Sequence, residues 1–322
     1  MVYPLKIILL LSSFVGSVWA ANFSYNQDHI IVGSLRIVTA QADDTFVSLG
    51  QQYSLGYDEM IIANPDIDAW VPKEGSEIIL PGQFILPSSD YRGIYINLAE
   101  MRIYYYPEGS TQTSVYTYPI SIGRGDWLTP KANAEVIDKI VEPTWYPPES
   151  VREEHALAGE ILPRSVPPGA DNPLGKYALQ LNLPGYFIHG TNRPEGVGMK
   201  VTHGCIRLRP ADIEILFNMT PRQTPVTIQY LPFKVAVEEG VAYLEAHEGD
   251  DPQVLGSYLG AAIIELSRLL ADKEIPVDWE KFIRVAKESR GFPVPVNLGS
   301  YPLVMHRQER LKTQREKRDY IF

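Results

Sequence analysis

Cys205 is the single cysteine of a 322-residue chain, and it lies within the run Thr202-His203-Gly204-Cys205-Ile206-Arg207-Leu208. A second imidazole, His189, stands upstream in Phe187-Ile188-His189-Gly190-Thr191. A lone thiol makes no internal disulfide, so it is either an inert core residue or a reactive group. One thiol with two imidazoles is the set of groups nucleophilic acyl transfer requires. The thiolate attacks a carbonyl, an imidazole takes and returns the proton, and a thioester links two half-reactions. A zinc site of His189, His203 and Cys205 is the competing chemistry. The spacing lacks the short ligand pairs of such sites and any fourth ligand, so neither metal nor cofactor is expected.

These groups need particular elements to hold them. Residues 185–189 read as a strand ending at His189, followed by Gly190 and a loop rich in Gly and Pro over 191–200. Cys205 falls in a glycine-flanked loop between strand and helix, the helix starting at Pro210, a residue suited to the first helical position. Gly204 leaves the backbone open to a close-approaching substrate. Amides near Cys205 then offer an oxyanion hole, with Arg207 as a further positive neighbour. A nearby histidine and arginine are expected to lower the thiol pKa. Runs at 93–97, 102–106, 113–122, 177–181 and 225–230 alternate at period two between Gly and Pro punctuation. With 26 prolines and 19 tyrosines, they predict a mainly β, α+β fold whose sandwich-like catalytic domain spans 92–230.

Residues 1–20 read as an export signal, with Lys6 before an apolar stretch and Val18-Trp19-Ala20 as a cleavage site. Residues 34–81 read as a small separate β-α-α-β unit, its first helix capped near Thr45 and its second stopping before Pro65. Residues 238–322 are expected to be a helical extension of unknown role, with amphipathic spacing over 254–270 and a second helix over 278–289. The tail over 306–318 is dense in basic residues, and His29, His155, His247 and His306 read as surface histidines. A formal charge of −10 argues against a nucleic-acid partner, which needs a basic face.

The unit at 34–81, through Ile62-Ala63-Asn64-Pro65 and the strand ending at Pro81, resembles a LysM domain, a resemblance that implies binding to N-acetylglucosamine-containing glycan strands. His189 with Thr202-His203-Gly204-Cys205, supported by Thr129-Pro130, Pro143-Thr144-Trp145 and Asp171-Asn172-Pro173-Leu174-Gly175, resembles the L,D-transpeptidase catalytic domain of the YkuD type. The order of the two units is similar to that of the Gram-negative periplasmic branch. The resemblance implies Cys205 as nucleophile, His189 as proton carrier and His203 as a support of the loop. It implies Gly204 and Cys205 as amide donors and Arg207 as an anchor for the site or a substrate carboxylate, with Gly190 and Thr202 supporting. Peptidoglycan stem peptides are then the substrate, with an amine of diaminopimelate or of an outer-membrane lipoprotein lysine as acceptor. No ATP is needed, and carbapenems should acylate Cys205. Ala132 stands near where the family has a glycine after Pro130, which bears on the donor side of the site. Two other functions remain open. One is a carboxypeptidase or hydrolase with the same nucleophile and water as acceptor. The other is a wall-binding protein with an idle catalytic domain. Glu149, Arg152, Glu153 and Glu154 read as a solvated face.

Overall fold

The computed structural model of the protein describes residues 21–26, 28–87, 91–108, 113–249 and 252–299. The expected export signal and basic tail lie outside them. In chain order the elements are β1 (Ala21–Ser24), β2 (Ile31–Thr39), α1 (Phe46–Tyr53), α2 (Tyr57–Ala63), β3 (Glu77–Ile85), β4 (Gly93–Asn97), β5 (Arg102–Tyr106), β6 (Ser114–Pro119) and β7 (Ile122–Gly123). There follow β8 (Ala132–Val141), α3 (Glu149–Leu157), β9 (Tyr177–Leu181), β10 (Phe187–His189), β11 (Lys200–Thr202), β12 (Ile206–Arg207), α4 (Pro210–Met219) and β13 (Pro225–Gln229). The chain continues through β14 (Phe233–Glu238), β15 (Val241–Ala246), α5 (Pro252–Leu269), α6 (Trp279–Glu288) and β16 (Val294–Pro295).

The catalytic half is built on one sheet in the order β1-β6-β5-β4-β13-β8-β9-β10-β12. Ser121, just past β6, exchanges both backbone hydrogen bonds with Arg207 of β12, at 2.8 and 3.0 Å. The far strand therefore meets chain leaving the other end, and the expected sandwich takes the form of a single curled sheet. Ile94, Ile96, Ile103, Leu179, Ile188 and Ile206 fill its concave side, closed by Ile213 and Leu216 of α4. β8 has no counterpart in the sequence reading. Of its ten residues only Val136 is buried, so no apolar alternation marks it; pairing to β13 and β9 holds it instead.

The amino-terminal β-α-α-β order is present, with β2 over Ile31–Thr39 and β3 over Glu77–Ile85 reaching beyond residues 34 and 81. Thr45 and Ser48 make a reciprocal capping box at α1. Asn64 explains the Ala-Asn-Pro signature: its buried amide donates to the Met60 carbonyl (2.9 Å) and the Ile79 carbonyl (2.8 Å) and accepts from the Ile79 N–H (2.7 Å). It acts as a strand partner where no strand is present. Asn64→Ala should cost about 2–3 kcal/mol in denaturant unfolding, because the Ile79 groups lose their partner in a buried setting. A change below about 0.5 kcal/mol, the level of a neutral surface substitution, would contradict that reading. The unit is not separate, however. Phe46, Met60, Leu80 and Phe84 share one core with Tyr95, Tyr104 and Tyr106 on the convex face of the sheet.

The carboxy-terminal region holds the two expected helices but is not only helical. β14 and β15 form a hairpin that β16 extends, and α5 and α6 pack on it through Ala262, Leu266, Phe282 and Val285. The turn, Glu239-Gly240, has both residues at positive φ (48° and 79°), as a two-residue type I′ hairpin requires. A buried ionic cluster joins the three parts. Lys234 Nζ sits 2.7 Å from Glu100 and 2.8 Å from Glu245, Glu245 accepts from the Ile85 amide (2.6 Å), and Tyr104 donates to Glu100. His247 is not a surface residue: it lies in this cluster, 2.7 Å from Glu245. Burial pushes the Glu245 carboxyl up, but Lys234 and His247 together outweigh it and hold it below its ordinary value.

Candidate active site

β10 and β12 run parallel, with Ile188 opposite Ile206 and His189 opposite Arg207. Ile188 and Ile206 are both fully buried in the core. Strand alternation then turns Phe187 and His189 of β10 and Arg207 of β12 to the opposite face. The parallel register is thus what brings β12, and the loop residue Cys205 just before it, beside the imidazole strand. The Cys205 sulfur lies 3.5 Å from the Gly185 carbonyl, and the residue keeps part of its surface open to solvent.

The loop before β12 is held from both sides. Thr202 Oγ1 donates to the Cys205 carbonyl (2.6 Å) and accepts from the Gly204 N–H (3.2 Å). Thr129 Oγ1 donates to the Gly204 carbonyl (2.8 Å) and accepts from the Gly123 N–H (3.0 Å). Gly204 has φ +102°, and a Cβ there would stand 3.1 Å from the Tyr186 ring, so glycine is required by conformation and by space. The Cys205 N–H has no hydrogen-bond partner among the described residues, which leaves it open to a substrate oxyanion; the Gly204 N–H is engaged by Thr202. Gly190 contributes differently: its N–H goes to the Tyr177 carbonyl (3.1 Å), and its carbonyl accepts from His189 Nδ1 (2.7 Å).

That contact assigns the His189 proton to Nδ1 and leaves Nε2 as an acceptor. Burial, reinforced by the Arg207 charge, pushes His189 down to about 3 despite the carbonyls of Gly190 and Leu174. Burial also raises the Cys205 thiol above 9.0, against the opposite pulls of the Phe187 amide and Arg207. The sequence expectation of a lowered thiol pKa is therefore reversed, because desolvation exceeds the effect of the neighbouring charge. The resting pair is a neutral thiol and a neutral imidazole. The Arg207 Nε is buried without a partner.

His203 does not stand with His189. Its Nε2 contacts Glu154 of α3, its ring meets Trp127 edge-on at 5.1 Å, and Arg124 donates to the other Glu154 oxygen (2.6 Å). Glu154, read from sequence as solvated, thus clasps α3 to the catalytic loop. Nothing local distinguished it from Glu149 or Glu153, since its partners come from distant segments. The two imidazoles having different partners, the thiol and histidines form no shared ligand set among the described residues; the one converging set is Glu100, Glu245 and His247, where Lys234 already supplies the cation.

The amino-terminal unit also braces this loop. The Tyr57 and Asp58 amides donate to the Val197 and Gly198 carbonyls at 3.4 and 3.0 Å. Gly198, at φ +92°, lets Gly56 approach so closely that a Cβ would lie 2.3 Å from the Tyr57 nitrogen. Glu59 of α2 pairs with buried Arg102 of β5 at 2.7 Å. Arg209, which follows β12, donates to the Leu55 carbonyl at 2.6 Å. Both flanks of the catalytic loop are therefore tied to the α1–α2 corner.

Residues 91–228 match the L,D-transpeptidase catalytic domain of the YkuD family. The chain is 42% identical over 227 residues to the probable L,D-transpeptidase YcfS of Escherichia coli, covering 67% of this chain and 70% of that protein. It is 36% identical over 274 residues to the probable L,D-transpeptidase YbiS of the same organism, covering 83% of this chain and 89% of that protein. A solved L,D-transpeptidase of Enterococcus faecium, at 20% identity and TM-score 0.35, overlaps 47% of this chain and 55% of its own.

Proposed function

The chain belongs to the L,D-transpeptidases that carry the YkuD-type catalytic domain, cysteine-dependent acyltransferases, and from that premise we propose that it is an exported, periplasmic enzyme acting on peptidoglycan stem peptides. Cys205 attacks the carbonyl on the L-centre of diaminopimelate in a tetrapeptide stem. His189 Nε2 takes the thiol proton as the C–S bond forms and returns it to the departing amine of D-alanine. A thioester remains on Cys205. A primary amine, from diaminopimelate on a second stem or from a lysine of an outer-membrane lipoprotein, adds to it and releases the thiol. No ATP enters, because the energy of the broken peptide bond is kept in the thioester.

The observation that supports this reading is the parallel β10–β12 register, which pairs His189 with Arg207 directly beside the loop that carries Cys205 and its amide, for which no partner stands among the described residues. That amide receives the oxyanion of the tetrahedral intermediate. Arg207, half-buried, with its Nε unpartnered and no ion pair among the described residues, suits a substrate carboxylate. Thr202, Gly204 and Gly190 hold the loop and the imidazole, and His203 holds the loop through Glu154. We assign glycan binding to the LysM-like unit at 34–81, supported by the solvent-exposed Trp70 ring 5.6 Å from Tyr57.

Incubation with diaminopimelate-containing disaccharide tetrapeptide tests the whole reading. D-Alanine release with cross-linked dimers is the expected result. Trimmed tripeptide without dimers would assign the chain to the hydrolases that use the same nucleophile. An absence of D-alanine release would leave only a wall-binding role.

A further inference from the structure

A cleft of about 640 Å³ opens beside the catalytic loop, between the segment at 122–131 and helix α5. Ile122, Gly123 and Thr129 line its near side, and Leu255 and Tyr258 its far side. Thr129 links it to the nucleophile, because the hydroxyl lining the cleft is the one that donates to the Gly204 carbonyl. The cleft also has a distinct charge. In a chain with a formal charge of −10, its described lining carries Lys131 and Lys200 and no carboxylate. Lys200 is shared with Asp58. Lys131 Nζ has no carboxylate partner among the described residues and stands 3.5 Å from the Tyr258 hydroxyl.

Tyr258 and Leu255 lie beyond residue 228, where the match to the catalytic domain ends. One wall of the cleft is therefore supplied from outside the matched domain, opposite the segment that holds the catalytic loop. We infer that this cleft seats the acyl acceptor, a carboxylate-bearing peptide with a primary amine, and that α5 is a working wall of the site. The inference rests on the transpeptidase reading above. An acceptor carboxylate pairs with Lys131 beside Tyr258, and its apolar atoms lie on Ile122 and Leu255. The amine nitrogen adds to the thioester carbonyl, the C–N bond forms as the C–S bond breaks, and the amine proton reaches the departing sulfur by way of His189.

The test separates the two half-reactions. Disaccharide tetrapeptide serves as donor, and disaccharide tripeptide, whose diaminopimelate carries both amine and carboxylate, serves as acceptor at rising concentration. In Lys131→Glu the KM for acceptor should rise about tenfold, and in Tyr258→Phe about threefold, while the single-turnover burst of D-alanine, read with enzyme in excess over donor before acceptor is added, keeps its wild-type rate. Lys131 is exposed and Tyr258→Phe removes one oxygen, so neither change should disturb folding. An unchanged acceptor KM in both variants, with normal transfer by the wild type, overturns the inference alone. A single-turnover D-alanine burst that slows as much as transfer also overturns it, by making the cleft a donor site. A wild-type chain that releases no D-alanine overturns the transpeptidase reading and this inference with it.

Discussion

A Cys205→Ala chain mixed with diaminopimelate-containing disaccharide tetrapeptide is expected to release no D-alanine and to gain no mass, a loss on the order of 10⁴-fold or more. The amide of residue 205, Arg207 and the substrate cleft all survive the change, so any residual rate measures oxyanion and binding effects without a thioester. Residue 205 lies outside the buried core, and the thermal midpoint should stay within about 2 °C of the wild type. The wild type should take up one carbapenem, read as an intact-mass adduct that the variant lacks. An active Cys205→Ala chain would move the chemistry to another residue. The raised thiol pKa adds a signature. Because burial holds Cys205 above 9.0, iodoacetamide alkylation should still be climbing at pH 9. A rate that levels off below neutrality would mean a preformed thiolate–imidazolium pair instead.

The second large effect belongs to His189. His189→Gln removes the proton carrier and should slow acylation by about 10²–10⁴-fold. It also changes the acid sensitivity of the fold. His189 titrates near 6.5 when unfolded and at about 3 in the folded protein, where burial keeps it neutral. Between those values the unfolded chain binds a proton that the folded chain does not. The stability is fully present above about pH 6.5 and is lost as pH falls toward 3, by about 2 kcal/mol at pH 5 from this residue alone. Denaturant unfolding at pH 7 and pH 5 should show that drop in the wild type and a smaller one in His189→Gln. An identical drop in both would place the acid-sensitive group elsewhere. The same sign makes the acid limb of acylation lie well below the range of an ordinary histidine.

Much of this protein is local and therefore legible in the chain. Thr45 capping α1, Pro65 stopping α2, Pro210 opening α4 and the period-two runs at 93–97 and 102–106 each act within a few residues. The catalytic motif is local in the same way at Gly204, beside Cys205, where a positive φ calls for glycine. Those features sufficed to name the family, and the nucleophile and proton carrier proposed above rest on the same local signals.

Other features depend on partners far along the chain, and only the tertiary structure decided them. Tyr95, Tyr104 and Tyr106 alternate along their strands with residues of the other core, and period two alone does not say what covers their face. The amino-terminal unit covers that face, so two units foreseen as separate share one core. β8 is a strand because β9 and β13 flank it, not because its own side chains call for one. Glu154 and His247 resemble any exposed charged residue until α3 meets His203 and β15 meets Lys234. The expected lowering of the Cys205 pKa fails for the same reason. Sequence names the charges that lower a thiol pKa, but desolvation is set by how many distant atoms crowd the sulfur, and here that crowding wins.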